Sequence, residues 1–134
     1  MKILITGGAG FIGSALIKSI LDNQKDSVLN VDSLTYAGNL QSLDGYHDSD
    51  NYNFAHVDIC KQDRIDELFV SFKPDLVMHL AAESHVDRSI DNADSFIQTN
   101  ILGTYSMLEA SRKYWNTLES NLKNKFRFHH ISTD

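Results

Sequence analysis

The 134-residue chain has a single cysteine and a single proline. One cysteine leaves no internal disulfide and fits a reducing, cytoplasmic setting. Without a pair of basic neighbours, Cys60 reads as a packed or idle thiol rather than a nucleophile. Positive charge is scarce too. Twelve Lys and Arg stand against eighteen Asp and Glu, a net charge of −6. With no basic cluster, neither nucleic acid nor an anionic membrane is expected as a partner. No apolar run approaches the ~20 residues of a membrane-spanning helix. Met1 leads straight into an apolar strand and then glycines, so no signal peptide is expected. Histidine is present but not in a metal pattern. His79 and His85 match no zinc spacing with the distant His129 and His130, which as strand neighbours face opposite ways. Each reads as a packed or hydrogen-bonded ring, and no metal is expected.

What remains is an ordinary globular composition, 42% hydrophobic and 22% charged, of a length that suits one domain. Its organising stretch is the first 32 residues. Lys2 to Thr6 is an apolar run that reads as a buried strand. Gly7-Gly8-Ala9-Gly10-Phe11-Ile12-Gly13 follows, then an amphipathic pattern to Leu21, then a second strand, Val28 to Val31, ending in Asp32. This is strand, glycine-rich turn, helix, strand, acid. Asp32 lies 19 positions past Gly13, close to the spacing of a dinucleotide fold.

The chemistry behind the pattern is specific. A helix N-terminus offers unpaired N–H groups and partial positive charge to a diphosphate. A side chain at Gly8 or Gly10 would hold that diphosphate off the backbone, and one at Gly13 would push the helix off the strand. Asp32 can accept both hydroxyls of an adenosine ribose and would repel a 2′-phosphate. Ser33 and Leu34 supply no cation to offset that, so NAD is favoured over NADP.

Further along, Ile12, Leu16 and Ile20 lie on one face of the first helix, widened by Ala15, Ile17 and Leu21. Ser33 to Asn51 is polar, with only Leu40 and Leu43 as helical hints, and reads as a solvated loop beside the ribose. Tyr52 to Val57 is a third strand. Asp58 then sits either near an adenine or as the cap of the next helix, Gln62 to Phe72, whose face is Ile65, Leu68, Phe69 and Phe72. Pro74 stops that helix, and Leu76 to Leu80 is a fourth strand. Ala81 and Ala82 let backbone approach a ligand closely. A helical pattern from Ala93 to Trp115 carries a broad stripe of Phe96, Ile97, Ile101, Thr104, Met107, Leu108, Ser111 and Tyr114. A stripe so wide fits either a dimer surface or plain core packing. Asn116 to Lys125 is a polar connection, and Phe126 to Ile131 a fifth strand. Strands alternating with helices predict a parallel, doubly wound sheet in the order 3-2-1-4-5, a Rossmann-type fold.

The whole chain resembles the N-terminal part of the dTDP-glucose 4,6-dehydratases, a family of extended short-chain dehydrogenases/reductases. ITGGAGFIGS at residues 5–14 marks the broad superfamily. NVDSLTYAGNL at 30–40, MHLAAESHVDRSI at 78–90 and FRFHHISTD at 126–134 are narrower. The resemblance implies NAD-dependent dehydration of dTDP-glucose to its 4-keto-6-deoxy product by a cytoplasmic homodimer. Beside Gly7, Gly10 and Gly13, it implies that Phe11 and Ile12 meet the diphosphate. Asp32, Ser33, Leu34 and Thr35 surround the adenosine ribose, and Asp58 and Ile59 flank the adenine. Leu80, Ala81, Ala82, Glu83 and Ser84 line the ribose and nicotinamide side, and Thr99 reaches the cofactor from the long helix. Ser84 and Thr133 would touch the hexose. Thr133 would hydrogen-bond the substrate hydroxyl, and Asp134 would be the dehydration acid. On position alone Asp134 could equally be a helix cap. As an acid it would have to be held protonated by burial.

The resemblance also exposes what is missing. The glutamate base expected after Asp134 is absent. No tyrosine has a lysine four positions on, as the family's oxidation step requires. The chain is therefore expected to be an N-terminal fragment, residues 1–134 forming an incomplete NAD-binding domain that binds NAD weakly and turns over no substrate. Its fifth strand is expected to be a raw sheet edge prone to association. Two alternatives remain: another extended short-chain enzyme such as a 4-epimerase, and a non-catalytic NAD-binding module.

Overall fold

A computed structural model describes residues 1–35, 38–84 and 93–132. Five strands, β1 (Lys2–Thr6), β2 (Ser27–Asp32), β3 (Tyr52–His56), β4 (Leu76–His79) and β5 (Arg127–His130), form one sheet in the order β3-β2-β1-β4-β5. All four pairings are parallel, as alternation with helices requires. The register aligns Thr6 with Val31 and His79, so three strand ends leave the same edge together.

Alternate strand residues feed two cores. Ile3, Ile5 and Val28 pack under α1 (Phe11–Asp22) with Ile17, Leu21, Leu43 and Tyr52. Leu4, Leu29, Val31 and Val77 pack on the other face with Ile65 and Phe69 of α2 (Gln62–Phe72) and Met107 and Ala110 of the long C-terminal helix. The doubly wound arrangement follows. α2 ends at Lys73, whose backbone is left-handed (φ +54) and donates to the Phe69 carbonyl, and Pro74 comes next.

Three local expectations are corrected. In α1 the buried positions are Gly13, Ser14, Ile17 and Leu21, whereas Ile12 is 64% exposed. Gly13 has no side chain and allows the closest approach to the sheet, so the helix turns that side inward and Ile12 outward. The stretch 33–51 is not simply solvated: Leu40–Leu43 is a 3₁₀ turn, Leu43 is wholly buried, and the Tyr46 hydroxyl donates to Asp22 at 2.6 Å. The long helix is not uniform. It comprises α3 (Ala93–Phe96), a π-helical segment Ile97–Gly103 and α4 (Thr104–Thr117). The π segment rotates the apolar stripe out of register. Ile97, Ile101, Leu102, Tyr105 and Leu108 are left exposed, while Ser106, Met107, Ala110 and Ser111 are buried. The connection to β5 contains a short helix, α5 (Ser120–Lys123). β5 pairs only with β4 among the described strands, an edge position as expected.

Candidate functional site

The glycine turn sits where the ends of β1, β2 and β4 converge. Gly7 has φ +73, a conformation natural to glycine, and its N–H donates to Val31 O at 3.0 Å. A Cβ on Gly7 would lie 2.7 Å from the Ala81 nitrogen, so the turn packs directly on the segment leaving β4. A Cβ on Gly13 would lie 2.2 Å from Gly7 O, so only glycine lets α1 close on the turn. At Gly10 the nearest atom is Gly7 O at 3.3 Å, and one side is open. Gly8 differs from expectation. Its Cβ would strike Asn30 Oδ1 at 2.2 Å and the Ile17 side chain at 2.5 Å, so core packing beneath the turn, not ligand approach, demands the glycine.

α1 begins at Phe11 with Gly10 as its N-cap. Among the described residues no side chain caps it, and its first turn holds no acid. Its terminal N–H groups are thus left for an external acceptor. Phe11 and Ile12 flank that opening, both largely exposed. Asp32 stands against the turn: Oδ2 accepts the Ala9 N–H at 2.9 Å and Oδ1 the Leu34 N–H at 2.8 Å. Leu34 has φ +52. Ser33 and Thr35 on either side are exposed, and the Ser33 carbonyl accepts from His56 Nε2 at 3.0 Å. The donor there must be the ring, since a carbonyl only accepts.

Asp58 is exposed, and its Oδ1 accepts the Cys60 N–H at 2.9 Å. It closes the turn before α2 without capping the helix, whose N-cap is Lys61. Ile59 is buried in the core, so its side chain does not flank an open adenine site and only its backbone is available there. Cys60 donates to Gln98 O at 3.2 Å, and its thiol is pushed up to about 11, first by burial and then by Asp58. That matches a packed cysteine and not a thiolate nucleophile.

On the β4 side, Leu80 is half-buried on the α1 face, and Ala82 and Ser84 are exposed. Asn100 grips Glu83 at two points: its Oδ1 accepts the Glu83 N–H at 2.8 Å and its Nδ2 donates to the Glu83 carbonyl at 2.9 Å. Thr99, half-buried, precedes it in the π segment. Beneath lies His79, fully buried. Thr6 Oγ1 accepts the Ala81 N–H at 3.1 Å and lies 2.7 Å from His79 Nδ1. His79 Nε2 lies 3.0 Å from Thr104 Oγ1. A buried hydroxyl proton needs an acceptor, so Thr6 donates to Nδ1 and Nε2 carries the ring hydrogen. Burial, then the neighbouring His130 stacked at 5.0 Å, lowers this histidine to about 4 and keeps it neutral. The reading of His79 as a packed, hydrogen-bonded ring holds.

Thr133, Asp134 and His85 lie outside the described residues. Among the described residues no three His, Cys, Asp or Glu side chains gather where a metal ion could be held. Sequence reasoning missed His56, Gly38, Asn39 and Asn100. Asn100 carried a usable signal, because asparagine is a poor helix former placed inside a helical pattern. His56 carried none, since its partner is a backbone carbonyl.

Comparison with known proteins agrees with this fold. Residues 4–134 match the family described as GDP-mannose 4,6 dehydratase. A dTDP-glucose 4,6-dehydratase of Salmonella typhimurium is 61% identical over 134 residues, covering 100% of this chain and 37% of that protein. One from Neisseria meningitidis is 59% identical over 133 residues, 99% of this chain and 38% of the relative. Among solved structures, a Bacillus anthracis dTDP-glucose 4,6-dehydratase in complex with NAD superposes with TM-score 0.82 at 30% identity, covering 99% of this chain and 37% of that one. A Thermotoga maritima UDP-glucose 4-epimerase with UDP-glucose gives 0.76 at 35% identity, over 85% and 35% of the two chains. The chain therefore spans a little over a third of the length of the curated relatives it matches.

Proposed function

Because the chain belongs to the GDP-mannose 4,6 dehydratase family, we propose that it is the NAD-binding N-terminal portion of a dTDP-glucose 4,6-dehydratase, a lyase. The finer assignment draws on the 61% identical relative of that name. The observation that carries it is the Asp32 carboxylate, bonded at 2.9 Å to the N–H of Ala9 inside an uncapped glycine turn. That bond supports reading Asp32 as a ribose acceptor beside a turn that cradles a diphosphate.

The residues present fit NAD. Gly10 leaves the turn open, the first N–H groups of α1 carry no side-chain cap among the described residues, and Asp32 offers further lone pairs to a ribose. NAD, when bound, supplies a temporary hydride acceptor. The chain's own part is to hold and orient. Gly7, Gly10, Phe11, Ile12 and Gly13 bracket the diphosphate. Asp32, Ser33, Leu34 and Thr35 fix the adenosine ribose, and Asp58 with the Ile59 backbone borders the adenine. Leu80 to Ser84 and Thr99 border the nicotinamide side. In this reading Ser84 and Thr133 touch the hexose and Asp134 donates the proton to the leaving hydroxide. Residues 1–134 form the cofactor domain, with the substrate-binding part supplied by further chain.

No helix of the described residues is long and apolar enough to cross a membrane, and Cys60 is free. We propose a cytoplasmic setting, which the free Cys60 thiol fits. The exposed Ile97, Ile101, Leu102, Tyr105 and Leu108 support a homodimer. Sedimentation should show self-association that Ile101→Glu and Leu108→Glu together abolish. An unchanged sedimentation coefficient in that variant contradicts the assignment.

The 4-epimerase reading retains one observation in its favour, the epimerase superposition at TM-score 0.76. A polypeptide continued past Asp134 tests the two. The dehydratase reading expects dTDP-glucose to yield the 4-keto-6-deoxy sugar. Epimerisation of a UDP-hexose without dehydration contradicts it.

A further inference from the structure

The segment that ends β2 and begins the following loop is hydrogen-bonded to the glycine turn at Ala9. Its N–H donates to Asp32 Oδ2 at 2.9 Å, and its carbonyl accepts the Asn39 N–H at 3.0 Å. Asp32 Oδ1 holds Leu34 N–H at 2.8 Å and thereby sustains a non-glycine residue at φ +52. Gly38 backs onto the same carboxylate. A Cβ there would lie 3.2 Å from Asp32 Oδ1, 3.2 Å from Leu34 Cα and 3.5 Å from the Ala9 methyl.

We propose that Asp32 is a positioning residue for the diphosphate turn as well as the ribose acceptor, and that bare Gly38 is the specificity-determining position that keeps both tasks compatible. The inference rests on the NAD reading above and deepens it. A carboxylate can accept two backbone N–H bonds and still present a lone pair on each oxygen to ribose hydroxyls. An asparagine has one acceptor oxygen and one NH₂, so either Ala9 or Leu34 would face a second donor. Replacing Asp32 to admit a 2′-phosphate therefore also loosens the turn that must hold the diphosphate. Selectivity against NADP is built into the turn's own hydrogen bonding, beyond charge repulsion.

The test uses the 134-residue chain with NAD, NADP, ADP and adenosine as probes, titrated by NMR, with thermal melts to confirm folding. If Asp32 only grips ribose, Asp32→Asn weakens ADP and adenosine by the same factor. On the proposal, ADP loses about tenfold or more beyond the loss for adenosine, and NADP binding does not appear. Equal losses, or NADP binding as strong as NAD binding had been, overturn it. Gly38→Ala alters no charge and no donor. It should weaken NAD and adenosine severalfold, and unchanged affinities overturn the role given to Gly38. Should Asp32→Asn fail to fold, the wild-type amide protons decide. Ala9 and Leu34 should both resonate downfield as carboxylate-bonded donors, and values typical of unbonded amides overturn the shared clamp. Wild-type chain that binds none of the four probes removes the NAD reading, while those two amide shifts still test the clamp.

Discussion

At the scale of single residues, two glycines three positions apart answer to different constraints. A Cβ at Gly13 would sit 2.2 Å from a backbone oxygen that cannot swing away. Gly13→Ala should destabilise the fold by at least about 3 kcal/mol, read from thermal or urea unfolding. A Cβ at Gly10 would meet one atom among the described residues, Gly7 O at 3.3 Å. Gly10→Ala should leave the melting temperature within a few degrees of wild type but weaken NAD binding, since its methyl intrudes on the open side of the turn. Equal stability losses in both variants would contradict this division. His79 makes a second prediction. It is neutral when folded because burial holds it at about 4, whereas an unfolded histidine takes its proton near 6.5. Its contribution is therefore complete above about pH 6.5 and fades as pH falls toward 4, where the unfolded chain alone is protonated. Urea denaturation should show roughly 2–3 kcal/mol lost to this group between pH 7 and about pH 4.5. A His79→Gln variant should lack that part of the slope; an identical slope contradicts the assignment.

At the scale of elements, the sequence was legible wherever burial alone sets the pattern. Lys2–Thr6, Ser27–Asp32 and Leu76–His79 are central strands with apolar runs, and Ile65 and Phe69 mark the inner side of α2 as periodicity requires. Legibility failed where an atom's absence or a change of helical period decides. α1 faces inward through Gly13, which hydrophobic periodicity counts as nothing, so the apolar face read from Ile12, Leu16 and Ile20 includes a residue that lies outside. Gly8 was read as open to ligand because the sequence does not reveal that Asn30 and Ile17 lie beneath it. Leu43 is buried by a single 3₁₀ turn too short to show a period. The π segment Ile97–Gly103 ends where Gly103 meets Ile59: an added Cβ would lie 2.5 Å from Ile59 Cδ1. Gly103→Ala should destabilise by about 2 kcal/mol, measured by urea unfolding. Shortening Ile59 to alanine in the same chain should recover part of the loss. Additive losses would show that the two positions do not share this contact.

At the scale of the whole molecule, the parallel order β3-β2-β1-β4-β5 brings the carboxyl ends of β1, β2 and β4 to one edge. The glycine turn, Asp32 and Ala81 meet there. An open parallel sheet binds its ligand at this place for geometric reasons, because its N-terminal helix ends and loops converge there. The central claim is that this edge is an NAD site selective against NADP. The most direct test is titration of the 134-residue chain with each dinucleotide while the backbone amides are followed by NMR. The account predicts saturable NAD binding with shifts concentrated at residues 7–13 and 32–35, little response to NADP, and no 4-keto sugar when dTDP-glucose is added. Absence of NAD binding, equal binding of NADP, or shifts confined to other parts of the chain would contradict it.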